Sequence, residues 1–157
     1  MTDLHKVKDK FEKNKSIYKK TLDRENIKKA IPILDELATA AYQKYNCLEC
    51  AACCKNFSPR FKAPDIKRIS KYMGIKETDL MNAHLHRDED GDYVLNQKPC
   101  TFLNADNTCS IYEVRPSDCH RFPYADEDVF LKRKELTMKN ASFCMIAQHV
   151  LDGLKNV

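Results

Sequence analysis

Leu4, Val7, Phe11 and Tyr18 recur at three-, four- and seven-residue intervals among lysines, the spacing of one face of an α-helix. A second stripe, Ile27, Ile31, Leu34, Leu37, Ala38, Ala41 and Tyr45, keeps close to the same period, with Asp23 as its expected N-cap. Pro32 falls inside this stripe. It has no N–H to offer residue 28, so it predicts either a kink or a restart in the first turn of a helix. Pro64 and Asp65 open a third helix carrying Ile66, Ile69 and Met73, stopped by Gly74. A fourth begins near Lys76–Glu77 or Thr78 and runs through Leu80, Met81 and Leu85. Helix, glycine turn, helix is also the outline of a DNA-reading motif. Only Lys76 and Arg87 lie near the ends of its second helix, so ordinary packing is the expectation.

The second half alternates differently. Residues 88–92, Asp-Glu-Asp-Gly-Asp, read as a solvated acidic turn rather than a calcium loop, because Tyr93-Val94-Leu95 follows at once as a short strand. Residues 100–103, 104–107 and 108–112 read as strand, turn, strand, with a cysteine near each end. Arg115-Pro116 opens a helical turn that contains Cys119 and closes at Phe122-Pro123; residues 142–154 form a last helix with Cys144, Ala147, Gln148 and Leu151 on neighbouring turns. The expected fold is mainly α with a small β-hairpin. Basic amphipathic helices over residues 1–44 would precede a cysteine-rich metal-binding domain over 45–157, in one folded unit.

The net charge of +4 is concentrated at the N-terminal end: residues 1–46 hold 11 Lys/Arg against 7 Asp/Glu, while 47–157 hold 16 of each. The basic residues there alternate with acids, as on a solvated helix face, which points away from nucleic acid and leaves a protein partner or substrate as the expectation. No apolar run approaches the ~18–20 residues that span a bilayer, and the N-terminus lacks a signal-peptide pattern. A cytoplasmic location follows as an expectation, and with it reduced thiols. Three glycines in the whole chain leave no room for a phosphate-binding loop, and no Ser–His–Asp arrangement stands out. Any catalysis would have to run through a metal or a thiolate.

Eight cysteines change the picture more than charge does. Four fall within eight positions, Cys47-x-x-Cys50-x-x-Cys53-Cys54, and Cys100, Cys109, Cys119 and Cys144 follow. All eight are candidate metal ligands. A C-x2-C pair lets two sulfurs reach one zinc across a tight turn, whereas C-x2-C-x2-C with a remote fourth cysteine suits a 4Fe–4S cluster. Side chains of adjacent residues diverge, so Cys53 and Cys54 should not both bind the same single ion. Either two sites meet there, or one thiol packs or reacts instead. Arg115 and Arg121 bracket Cys119 and would offset thiolate charge, with structural hydrogen bonding the equal alternative. Phe102, Tyr112, Phe122 and Tyr124 are expected to shield the site. His84 and His86 read as surface residues, and His5 and His149 as bystanders.

At these residues the chain resembles the CxxCxxCC cysteine-cluster family of zinc- or iron-chelating proteins, also described as iron–sulfur-cluster proteins, and a similar module occurs in flagellin lysine methylases. The resemblance rests on Cys47-Leu-Glu-Cys50-Ala-Ala-Cys53-Cys54, Pro99-Cys100-Thr-Phe-Leu103, Cys109-Ser-Ile-Tyr112, Arg115-Pro116, Cys119-His-Arg-Phe-Pro123 and Cys144. It covers about residues 45–152. His120 stands where the family often has arginine, which makes it a reserve ligand. The resemblance implies chelation of a metal or cluster, with no settled reaction. Spacing and resemblance together favour an iron–sulfur cluster with a redox or enzyme-coupled role over Zn2+ in a structural interaction module, and over a metal or redox sensor.

Overall fold

The computed structural model describes residues 4–46 and 50–157; Cys47 lies outside the described residues. In chain order the helices are α1 (Leu4–Leu22), α2 (Leu34–Lys44), α3 (Ala52–Asn56), α4 (Ala63–Met73), α5 (Glu77–His84), α6 (Ser117–Arg121), α7 (Val129–Lys132), α8 (Lys134–Ala141) and α9 (Met145–Leu154). Strands β1 (Leu85–Arg87) and β2 (Tyr93–Leu95) lie between α5 and α6. The fold is therefore mainly α with a two-stranded antiparallel sheet. The residues cluster into two compact units, one of residues 1–50 with 123–157 and the other of 51–122.

In the first unit α9 packs on α1, α2 and α8. Its buried face, Ile146, Ala147, Val150, Leu151 and Leu154, meets the stripes the periodicity marked: Val7, Phe11 and Tyr18 on α1, and Leu34, Ala38 and Ala41 on α2. Pro32 resolves as a restart. Ile27–Ile33 is a 3-10 segment that holds it, and α2 begins at Leu34. Asp23 caps nothing; the residue before the 3-10 segment is Asn26, without a side-chain cap, and Asp23 pairs instead with Lys134 at 3.3 Å.

The second unit is built on Phe61, Ile66, Ile69, Leu80, Leu85, Leu95, Phe102 and Ile111, with Cys100 and Cys109 packed against them. Helix α4 begins as Pro64 and Asp65 announce, the Asp65 carboxylate accepting the Lys62 N–H at 3.0 Å, and ends at Gly74 with φ +70°. The fourth helix stops at His84 rather than running through Leu85, which starts β1. β1 pairs with β2 in the register Leu85–Leu95, His86–Val94, Arg87–Tyr93. The acidic residues form the turn between them: Asp88 Oδ1 accepts the N–H groups of Asp90 and Asp92 at 3.0 and 2.9 Å. The hairpin is thus at 85–95. Residues 100–112 hold only a single bridge, Leu103–Cys109, followed by a 3-10 turn over Tyr112–Val114. The physical reason lies in the cysteines. The Phe102 N–H is directed at the Cys100 sulfur and the Ile111 N–H at the Cys109 sulfur, while the Leu103 N–H donates to the Cys100 carbonyl at 3.0 Å, so these groups are not available to a facing strand.

Candidate metal centre

Four thiols of the second unit, Cys54, Cys100, Cys109 and Cys119, lie within electrostatic reach of one another. The sequence reaches Cys54 through Ala51, a non-glycine residue in the left-handed region at φ 47°, which turns the chain sharply into the five-residue helix α3. The Cys54 carbonyl accepts the Cys100 N–H at 2.7 Å, so the first cysteine segment is tied directly to the second. Cys109 is placed by its bridge to Leu103, and Cys119 by the N-terminal turn of α6, where its N–H meets the Pro116 carbonyl at 2.9 Å. Cys54, Cys100, Cys109 and Cys119 are each half-buried and unoxidised. They lie close enough that in all six pairs the charge of one bears on the ionisation of another.

Burial and mutual repulsion set the electrostatics of this group. Burial pushes Cys100 up to about 11, and repulsion from Cys54 and Cys109 adds to it. Burial likewise raises Cys109, against help from the Ile111 N–H and the Arg115 charge. Cys119 is driven well above the ordinary thiol value by burial and by the charges of the other three. Cys54 moves the other way, to about 7, chiefly because Cys53 donates a hydrogen bond to it, against the cost of burial. Four thiolates could coexist here only around positive charge, which a metal would supply as it displaced the protons.

The donor chemistry is all sulfur. The two buried carboxylates of this unit are engaged elsewhere, Asp118 with Arg60 and Asp65 with Arg68 and backbone N–H groups. Sulfur ligands suit zinc or iron–sulfur chemistry and do not suit magnesium or calcium. Among the described residues, no three His, Cys, Asp or Glu side chains stand close enough to grip one bare ion.

This chemistry has a counterpart among known proteins: a sequence-family model described as a "putative zinc- or iron-chelating domain" matches residues 46–145. The chain belongs to the CxxCxxCC family. No curated protein and no solved structure matches the chain. Metal binding is the property that membership supports for this CxxCxxCC protein, with zinc and iron both admitted.

The remaining candidates are distributed as follows. Cys50 and Cys144 lie in the first unit, Cys144 buried at the start of α9. Arg115 lies 4.0 Å above the Tyr112 ring and donates to the Tyr112 carbonyl at 2.8 Å. Arg121 is exposed at the end of α6. His120 is exposed, its imidazole held below the ordinary value by partial burial and by the charges of Arg115 and Arg68. His86 is exposed on β1, and His84 packs edge-on against Phe102. Phe102 and Phe122 are buried, Phe122 against Phe57 at 4.7 Å, whereas Tyr112 is 41% exposed. Arg60, Asp65 and Asp118 were not foreseen as site residues. Asp65 carried a signal, an acid in the first turn after proline, but Arg60 carried none. Among the described residues no helix is long and apolar enough to cross a membrane.

Proposed function

We propose that the protein holds an iron–sulfur cluster on Cys54, Cys100, Cys109 and Cys119, with a redox or enzyme-coupled role. The observation that supports this best is the set of four thiols within electrostatic reach of one another. All six pairs interact electrically and every donor is sulfur, the ligand chemistry an iron–sulfur cluster takes. The backbone N–H groups of Phe102, Leu103 and Ile111 would stabilise the ligand thiolates, and such hydrogen bonds tune a cluster's potential. Cys53 would serve as hydrogen-bond donor to Cys54 and not as a ligand of this centre. When bound, a cluster supplies one-electron chemistry; the chain's own part is to hold the thiolates, shield them with Phe102 and Phe122, and leave one side accessible.

The test is anaerobic purification without added metal, with absorption spectra and iron, sulfide and zinc measured on one sample. A brown protein with matched iron and sulfide, its colour lost in C54S, C100S, C109S and C119S, is the expected result. A colourless protein with stoichiometric zinc would replace this reading with a structural interaction module.

A further inference from the structure

Cys119 stands on α6, a helix of five residues, and a helix so short has no stability of its own. Its place is imposed from outside. Arg60, in the loop between α3 and α4, makes three hydrogen bonds to the Asp118 carboxylate. Its backbone N–H and Nε donate to Oδ2 at 3.0 and 2.9 Å, and its Nη2 donates to Oδ1 at 3.1 Å. Asp65, in the first turn of α4, accepts the Ser117 N–H at 3.1 Å. Arg68 Nη2 joins the same arrangement, donating to Asp65 Oδ1 at 2.8 Å and to the Arg115 carbonyl at 2.9 Å. Residues 115, 117 and 118 are therefore each tethered to the segment 60–68, immediately before the thiol. Both carboxylates are 2% exposed. The charge of Asp118 is itself unfavourable to a thiolate at Cys119, so its place there is not explained by electrostatic activation of that sulfur. Paired with the planar fork of Arg60, it serves geometry.

We propose that Arg60, Asp65 and Asp118 are positioning residues of the metal centre: they aim the Cys119 sulfur at Cys54, Cys100 and Cys109 and so govern how firmly metal is held. This rests on the ligand assignment above. A ligand on an untethered five-residue turn would have to be ordered each time metal bound, whereas a tethered one meets the metal already in place. The bidentate fork is the specific requirement, since a lysine at position 60 keeps the charge and loses the geometry.

The experiment compares wild type, C119S, D118N, D65N, R60K and the control L85A, each reconstituted anaerobically with iron and sulfide and, separately, with zinc. Metal per chain, sulfur-to-metal charge-transfer absorption and the rate of loss to a chelator are read well below each variant's melting temperature. D118N and R60K are expected to lose metal roughly 10–100-fold faster than wild type, the range typical of groups that orient ligands. L85A, which removes a core side chain from the same unit, should melt earlier yet loosen metal much less than D118N or R60K do. Wild-type release from D118N and R60K, with metal already lost in C119S, would overturn the positioning role. Equal loosening in L85A would overturn it too, by reducing the tethers to general stability. Wild-type loading of C119S would instead remove the ligand assignment, and the positioning role with it.

Discussion

Cys53 and Cys54 are neighbours joined by one hydrogen bond, and it separates Cys54 from the other thiols. By donating to Cys54, Cys53 brings that thiol to about 7, while Cys100 sits near 11. Reactivity follows the thiolate, so in reduced, metal-free protein Cys54 should be alkylated well before Cys100 at pH 8. In C53A the pH midpoint for Cys54 alkylation should rise, because the donor that stabilises the thiolate is gone. Peptide mapping by mass spectrometry after timed alkylation checks both, and an unchanged midpoint would assign the low value to another cause. That adjacent side chains diverge was legible in the sequence, and with it the choice between two sites and one thiol that is not a ligand. That Cys54 comes within electrostatic reach of Cys100 was not, because it depends on the turn at Ala51 and on where Cys100 meets the Cys54 carbonyl.

The same division holds for elements. Long apolar stripes made α1, α2 and α4 readable, because one face of each is buried and the period says which. Gly74 marked the end of α4 for a sound reason: only a residue without Cβ adopts φ +70° at little cost. No neighbour lies within 4 Å of a Cβ placed there. Gly74→Ala should therefore cost about 1 kcal/mol through backbone strain alone, with Asn costing less; urea denaturation measures it. Gln148 on α9 has a larger part than its helix-face position suggested. Its Nε2 donates to the Val7 carbonyl at 2.9 Å and to the Ala141 carbonyl at 2.8 Å, tying α1 and the end of α8 to α9. Gln148→Ala leaves both buried carbonyls short of a partner and should destabilise by about 1–3 kcal/mol in the same assay. The segment 100–112 keeps only one bridge of the expected strand pair, because residue alternation cannot reveal that the Phe102 and Ile111 N–H groups turn to sulfur and that of Leu103 to the Cys100 carbonyl.

At the scale of the whole molecule, acid stability has an identifiable source. Burial would raise the Asp118 carboxyl, but hydrogen bonds from Arg60 outweigh it and hold the group below its ordinary value. Asp152 behaves alike, with burial opposed by Lys10, Tyr18 and Lys155. A carboxyl depressed in the folded state stabilises above its unfolded value, near 4, and loses that contribution as pH falls through the folded value. The apo protein's melting temperature should accordingly hold steady from pH 7 to about 5 and drop below about 4. D118N should flatten part of that drop, since it removes one of the linked protons. Metal removal tests a different coupling. The eight-residue apolar cluster of the second unit is small, and the thiols pack against it, so binding energy there is also folding energy. Chelation should lower amide protection over residues 51–122 without abolishing it and spare the buried turns of α9, as read by hydrogen exchange; undiminished protection around Cys100 and Cys109 would show that metal adds nothing to the unit's stability.

The sequence by itself determined the chemistry and most of the helices. Cysteine spacing is a statement about donors that survives any fold, and helical periodicity is local, needing only neighbours a few residues away. Tertiary structure decided which thiols meet. Cys54, Cys100, Cys109 and Cys119 are scattered over 66 positions, and their convergence depends on a carbonyl at Cys54, a bridge at Leu103 and a carboxylate at Asp118 fastened to Arg60. Those are a few specific hydrogen-bonded contacts, without period or propensity, and the long-range ones form only once the apolar core has brought the segments together.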